Sequence, residues 1–139
     1  MRLAGELAGL AERAYMVGME RIWIGLASLA GFSGVAMAAV GAHALAGLPA
    51  ARMEMVQSAV QMQTVHALAL LFTGLWAPRG GRLAHLAGAA FALGVLMFCG
   101  GVYSLALAGT RLASVAPVGG SLLMLGWILL GLSALRRRA

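Results

Sequence analysis

Four long intervals without Asp, Glu, Lys or Arg constrain this chain more than any other feature of its sequence. They contain 30, 24, 28 and 24 residues and run between Arg21 and Arg52, Glu54 and Arg79, Arg82 and Arg111, and Arg111 and Arg136. An apolar stretch of about 18 residues or more favours a membrane-spanning helix over a buried helix of a soluble protein. The sequence therefore predicts an all-α integral membrane protein, a four-helix transmembrane bundle with spans near 22–42, 56–76, 83–107 and 117–135.

The composition agrees with a chain that is surrounded by lipid. Of the 139 residues, 62% are hydrophobic and 10% are charged, whereas soluble domains carry about 25% charged residues. We expect one transmembrane domain over residues 19–139. Residues 1–18 form an N-terminal extension with two alternative interpretations: an amphipathic helix on the membrane surface, with Leu3, Leu7 and Leu10 at helical spacing, or a segment that is not translated because synthesis starts at Met19.

The arginines predict how the bundle is oriented. With four spans, the two termini and the second loop share one side, which carries Arg2, Arg13, Arg21, Arg79, Arg82, Arg136, Arg137 and Arg138; Arg52 and Arg111 lie on the other. Because loops rich in Lys and Arg stay in the cytoplasm, both termini are expected to be cytoplasmic. The same arrangement argues against nucleic acid as a partner of this +6 chain, since its basic residues lie at helix ends, where they suit anionic head groups of the lipid bilayer.

The second predicted span is unusually polar for a membrane helix. It contains Gln57, Gln61, Gln63, Thr64, His66 and Thr73. At 100° per residue, Gln57, Gln61 and Thr64 share one side of the helix, and the other three lie nearly opposite. Polar groups that face lipid are costly, so we expect the second helix to be central in the bundle and contacted by protein on two sides.

Five short segments stand in order along the chain: GAHAL at 41–45, HALALL at 66–71, FCGGVY at 98–103, PVGG at 117–120 and GW at 126–127. Together they resemble a small bacterial inner-membrane family of unknown function that includes the YgdD and YwdK proteins and has a eukaryotic transmembrane relative. The resemblance covers about residues 19–135. It implies a multi-pass protein of the bacterial cytoplasmic (inner) membrane with four helices, and it implies no established reaction, substrate or cofactor. Cys99 and Gly101 stand where the family often has serine, and Val65 where an aromatic residue is frequent.

The matched segments extend the set of candidate functional or interhelical residues. Besides Gln57, Gln61, Gln63, Thr64 and His66, the set contains His43, Tyr103, Pro117, Gly119, Gly120 and Trp127. Pro117 suits the first turn of the fourth helix, where its missing N–H is harmless. The glycines after it allow close helix contact or, alternatively, bare backbone beside a small cavity.

No cofactor, metal site or catalytic group is predicted. His43 and His66 could ligate one haem only at similar depth, and a second helix that starts near Val56 places His66 about 15 Å deeper than His43. Cys99 and His66 lie on different predicted helices without a third group to orient them, so we do not expect an enzyme.

The sequence favours an accessory or scaffold protein that contacts another membrane protein or lipid, or that forms a homo-oligomer. The alternative is a small-solute or proton transporter or channel that uses His66 and the polar face of the second helix.

Overall fold

The structure of the protein is a computed structural model that describes residues 2–110 and 114–135, and its regular structure there is helical. Helix α1 comprises Arg2–His43, α2 comprises Ala50–Ala108 and α3 comprises Ala116–Leu135. Three segments are long and apolar enough to cross a membrane: Gly18–His43 within α1, the whole of α2, and α3. Arg111 and the arginines at 136–138, which contributed to the orientation argument, lie outside the described residues.

Helix α2 is interrupted at Gly81, and the chain reverses there. Gly81 has φ 59° and ψ −146°, a positive φ that glycine adopts readily because it lacks a Cβ atom. We call residues 50–80 the first arm of α2 and residues 82–108 the second arm. The two arms lie side by side: Cys99 Sγ donates a hydrogen bond to the Ala59 carbonyl at 3.5 Å, and the rings of His66 and Phe91 are 5.8 Å apart. The sequence predicts a loop between 76 and 83, whereas the structure continues the helix through Pro78 to a break at one glycine.

A proline precedes helix α2 and a glycine ends it. Pro49 stands directly before α2 with φ −53° and ψ 142°, an extended conformation that separates α2 from the turn after α1. At the other end of α2, Gly109 adopts φ 65° and its N–H donates to the Leu105 carbonyl at 3.0 Å. This left-handed glycine cap satisfies a carbonyl that the end of the helix would otherwise leave free.

The two arms of α2 form the centre of the bundle, with α1 and α3 on opposite sides. Trp23 of α1 bonds to His85 of the second arm, while Gln63 of the first arm bonds to α1 at Ala30. Helix α3 likewise contacts both arms, but no Cα atom of α1 lies within 8 Å of one in α3 among the described residues. The all-helical prediction is therefore confirmed. The central position was expected for the second predicted helix alone, which is the first arm, but the second arm shares it.

Glycines set the spacing between α3 and the second arm. A Cβ atom added to Gly119 would overlap the backbone nitrogen of Phe98 and lie 2.9 Å from the Gly94 carbonyl oxygen. A Cβ on Gly94 would in turn lie 3.0 Å from the Gly119 carbonyl oxygen. Such close backbone contact adds van der Waals attraction where lipid supplies no hydrophobic drive for helices to associate.

Candidate functional site

Gln63 of the first arm is the centre of a buried polar cluster that joins three helical segments. Its Nε2 donates to the Ala30 carbonyl at 2.9 Å and to Ser33 Oγ at 2.7 Å, both on α1. Its Oε1 accepts a hydrogen bond of 2.8 Å from the hydroxyl of Tyr103 on the second arm. We call Ser33, Gln63 and Tyr103 the Gln63 cluster. The cluster fixes the rotation of the first arm against both neighbours.

The orientation of the Gln63 amide follows from its partners. The Ala30 carbonyl is an acceptor only, so the amide nitrogen must face it and the amide oxygen must face Tyr103. Ser33 uses its own proton on the Leu29 carbonyl at 2.7 Å, and Tyr103 uses its proton on Gln63. Every proton of the cluster is therefore already donated, and its remaining hydrogen-bonding capacity consists of oxygen lone pairs.

His66 joins the first arm to α3. Its Nδ1 lies 2.7 Å from the Met62 carbonyl of the same helix, and its Nε2 accepts a hydrogen bond of 3.2 Å from Trp127 Nε1. Phe91 of the second arm packs against both residues, with its ring centre 5.8 Å from that of His66 and 5.2 Å from that of Trp127. We call His66, Phe91 and Trp127 the His66 cluster.

The partners of His66 define one form of its imidazole. An indole N–H is a donor only, so Nε2 must carry no proton where it meets Trp127. The Met62 carbonyl is an acceptor only, so Nδ1 must carry the proton. His66 is accordingly a neutral ring with both nitrogens engaged, and its side chain is 4% exposed.

Two further indole hydrogen bonds hold the bundle near the Gly81 break. Trp23 Nε1 donates to His85 Nδ1 at 3.0 Å, and Trp76 Nε1 donates to Ser133 Oγ at 3.0 Å. Sequence reasoning did not select Trp23, Trp76, Ser133 or the cluster member Ser33. These residues could have been selected because each places a hydroxyl or an indole N–H inside an apolar span. Such groups form hydrogen bonds with neighbouring helices when they are buried.

Gln57, Gln61 and Thr64 occupy the opposite side of the first arm and are exposed. Thr64 donates to the Val60 carbonyl of its own helix at 2.8 Å, but neither glutamine side chain has a hydrogen-bond partner among the described residues. These three residues, which we call the Gln61 stripe, line a groove of about 610 Å³ between the first arm and α1. Met37, Ala38, Gly41 and Ala42 form its α1 wall. Neighbouring helices pack against the side of the arm that carries Gln63 and His66, whereas the side that carries the Gln61 stripe is open.

A second groove of about 550 Å³, which we call the Gln63 groove, lies between α1 and the second arm. The Gln63 cluster and Cys99 supply its polar atoms, and the other lining residues are apolar or glycine. Leu29 and Leu96 at its sides are 63% and 70% exposed, so the groove is open to the surroundings of the bundle. Both grooves lie within the 300 to 1,000 Å³ that is usual for small-molecule sites.

The remaining candidate residues lie near helix ends or at helix contacts. His43 is the last residue of α1 and is exposed, far along the chain from the buried His66 cluster. Pro117 is the second residue of α3, Gly119 is buried against Phe98, and Gly120 faces the Phe98 ring. Within residues 2–110 and 114–135, no group of three or more His, Cys, Asp or Glu side chains is placed to hold a metal ion.

The fold and these sites define a class of protein. The outward surface of the bundle is formed by large apolar side chains, including Leu29, Phe32, Val35, Leu96 and Met124, while the polar side chains of Gln63, His66, Thr73 and Ser133 are buried. Soluble proteins show the opposite distribution, with most polar side chains outside. An apolar outer surface around buried polar side chains is typical of a helical membrane protein.

The chain belongs to a family described as "Protein of unknown function (DUF423)", which matches residues 37–120. It is 31% identical over 123 residues to a UPF0382 membrane protein of Haemophilus influenzae, covering 87% of this chain and 99% of that protein. It is 36% identical over 122 residues to the UPF0382 inner membrane protein YgdD of Escherichia coli K12, covering 84% and 92%. A third relative, the membrane protein SH2409 of Staphylococcus haemolyticus, is 34% identical over 118 residues, covering 84% and 97%. No solved structure matches the chain. The family expected from the five sequence segments is thus confirmed. The description of the family assigns it no biochemical activity.

Proposed function

We propose that the chain crosses the bacterial inner membrane four times, with α1, the first arm, the second arm and α3 as the spans and both termini in the cytoplasm. Helix α2 has 59 residues, which at 1.5 Å per residue would extend about 88 Å, far beyond a hydrocarbon core of about 30 Å. The break at Gly81 lets each arm act as one span. The arginines flanking that break, Arg79 and Arg82, then lie on the same side as Arg21, as the distribution of positive charge requires.

Single cysteines test this topology. Gly18 and Gly47 are exposed, and a side chain added at either position would meet nothing within 4 Å. In a Cys99→Ser background, we expect Gly47→Cys to react with a membrane-impermeant thiol reagent on spheroplasts, and Gly18→Cys to react only after permeabilisation. Labelling of Gly18→Cys on sealed spheroplasts, with Gly47→Cys protected, would contradict the proposed orientation.

Within this topology the protein acts as an accessory protein that binds a transmembrane helix of another membrane protein in the groove of the Gln61 stripe. The observation that carries this proposal is the pair of exposed amides of Gln57 and Gln61, which have no partner in the described chain. Gln61 lies seven residues after Glu54, about 10 Å along the axis, inside the uncharged interval of the first arm. An amide at that depth gains a hydrogen bond by packing against another helix, and the small residues Ala38, Gly41 and Ala42 across the groove allow a close approach.

The His66 cluster supports this role over proton transport. A proton carrier must gain and release charge, but protonation of His66 Nε2 would break its bond with Trp127, and the described residues bring no carboxylate to the cluster. In the proposed function His66 is a structural residue that fixes the position of α3.

Photo-crosslinking in native membranes tests the partner site. We expect benzoylphenylalanine in place of Gln61 or Gln57 to give a protein adduct of one defined mass. Leu75 and Met124 are also exposed and lie outside the groove, so they serve as control positions; we expect no such adduct there. Equal adducts at all four positions, or adducts with lipid alone at Gln61, would overturn the proposal. An adduct with the mass of two copies of this chain would replace the foreign partner with a homo-oligomer.

A further inference from the structure

The Gln63 groove combines a long apolar wall with one uncharged polar patch. Along α1 it extends from Leu26 to Met37, eleven residues or about 16 Å at 1.5 Å per residue. Its apolar walls continue along the second arm past Leu93 and Leu96 to Gly100, and it opens sideways past exposed side chains. This shape suits an alkyl chain that lies beside the helices and enters from the surrounding bilayer.

The polar patch restricts the head group of such a ligand. None of the residues that line the groove is charged, so a phosphate or carboxylate buried there would have no countercharge. The protons of Gln63, Ser33 and Tyr103 are all donated within the protein, as described above. The lone pairs left on Gln63 Oε1 and Tyr103 Oη can accept a hydrogen bond but cannot give one.

We propose that the Gln63 groove binds an uncharged membrane lipid whose head group is a hydroxyl. The alkyl chain lies along Leu26, Leu70 and Leu96, and the hydroxyl donates its proton to the free lone pairs of the Gln63 cluster. The position of the cluster also limits the size of the head group. Gln63 is nine residues after Glu54, so its amide lies about 13 Å along the arm from the last charged residue, and a large hydrated head group would have to leave the membrane surface to reach it.

This binding site does not depend on the proposed partner site, because the two grooves contain different glutamines and share only Met37 among their lining residues. The Gln63 groove takes its α1 wall from Leu26, Leu29 and Ser33, whereas the groove of the Gln61 stripe takes its wall from Ala38, Gly41 and Ala42. A crosslinked protein at Gln61 and a lipid at Gln63 are therefore separate observations, and either can fail alone.

Three probes that differ only in the head group test the proposal: oleyl alcohol, oleyl methyl ether and oleate, each at low mole fraction in phosphatidylcholine nanodiscs that contain the full chain. Native mass spectrometry counts the bound probe. We expect the alcohol to bind about tenfold more tightly than the ether, which lacks the proton, since one hydrogen bond contributes about that factor. We expect oleate to bind more weakly than the alcohol. Equal binding of alcohol and ether, tighter binding of oleate, or no binding of the alcohol would overturn the proposal.

Glycine substitutions locate the bound probe. A Cβ at Gly100, on the groove wall, would meet nothing within 4 Å, so we expect the helix to accept Gly100→Leu and the leucine to occupy space in the groove. Gly131 of α3 has equally open space and lies outside the groove, which makes Gly131→Leu the matched control. We expect Gly100→Leu to weaken binding of oleyl alcohol at least tenfold and Gly131→Leu to leave it unchanged. Undiminished binding to a folded Gly100→Leu protein would place the alcohol elsewhere and contradict the assignment.

Discussion

The two polar sides of the first arm of α2 carry the same kinds of residue in opposite circumstances. Gln63 and His66 on one side are buried, and their polar atoms bond to α1, the second arm and α3. Gln57 and Gln61 on the other side are exposed and have no hydrogen-bond partner among the described residues. The difference teaches that a polar residue in a membrane helix can form hydrogen bonds within its own bundle or remain available to bind another molecule. The neighbouring helices determine which of the two applies.

Replacing Gln63, the central residue of the packed side, should give the largest change in the free energy of unfolding. Gln63→Leu leaves the Tyr103 hydroxyl without its acceptor and removes both hydrogen bonds from the Gln63 amide to α1, so we expect it to lower the free energy of unfolding by about 2 kcal/mol. Gln61→Leu is the matched control on the exposed side, and we expect a change within about 0.5 kcal/mol. Unfolding of both variants in mixed micelles, followed by circular dichroism, measures the pair. Similar losses for both would remove the distinction between the two sides.

The link between the first arm and α3 should be weaker. Trp127→Phe removes the indole N–H that bonds to His66 and retains an aromatic ring beside Phe91, so we expect a loss of about 1 kcal/mol. A double-mutant cycle with His66→Leu should give a coupling energy of about 0.6 kcal/mol, the average for interhelical hydrogen bonds in a membrane protein. Strict additivity of the two substitutions would show that this bond does not hold α3.

The smallest difference is expected between two threonines. Thr73 is completely buried, but its hydroxyl donates to the Ala69 carbonyl of its own helix at 2.7 Å and so makes no link between helices. We expect Thr73→Val to lower the free energy of unfolding by at most about 0.5 kcal/mol, and Thr64→Val on the exposed side to leave it unchanged. The same unfolding assay measures both variants. A loss above 1 kcal/mol for Thr73→Val would indicate an interhelical role that its hydrogen bond does not explain.

Much of the fold could be predicted from the uncharged intervals, because the apolar length of a segment determines whether it suits a membrane. The sequence places α3 at 117–135, and the structure has it at Ala116–Leu135. It also selected Gln63, His66, Tyr103 and Trp127. Their pairings could not be predicted, because helical periodicity gives the angle between residues of one helix and says nothing about its rotation relative to the next.

Other features depend on tertiary contacts that no local pattern contains. Ser33 has the backbone bond to Leu29 that any serine in a helix can make, and only the fold brings Gln63 against it. The sequence also favoured protein on both sides of the first arm, whereas α1, the second arm and α3 leave its Gln61 side open. Three neighbours are too few to surround a helix.

The central claim is that the buried polar residues of the first arm hold the bundle together, and the tautomer of His66 tests it most directly. The hydrogen bonds to Met62 and Trp127 require a neutral ring with its proton on Nδ1 and none on Nε2. Nitrogen-15 solid-state NMR of ring-labelled protein in bilayers at neutral pH distinguishes this form from the other two. We predict an unprotonated Nε2 signal that shifts in Trp127→Phe and is unchanged in Gln61→Leu. A charged ring, or a neutral ring with its proton on Nε2, would contradict the account.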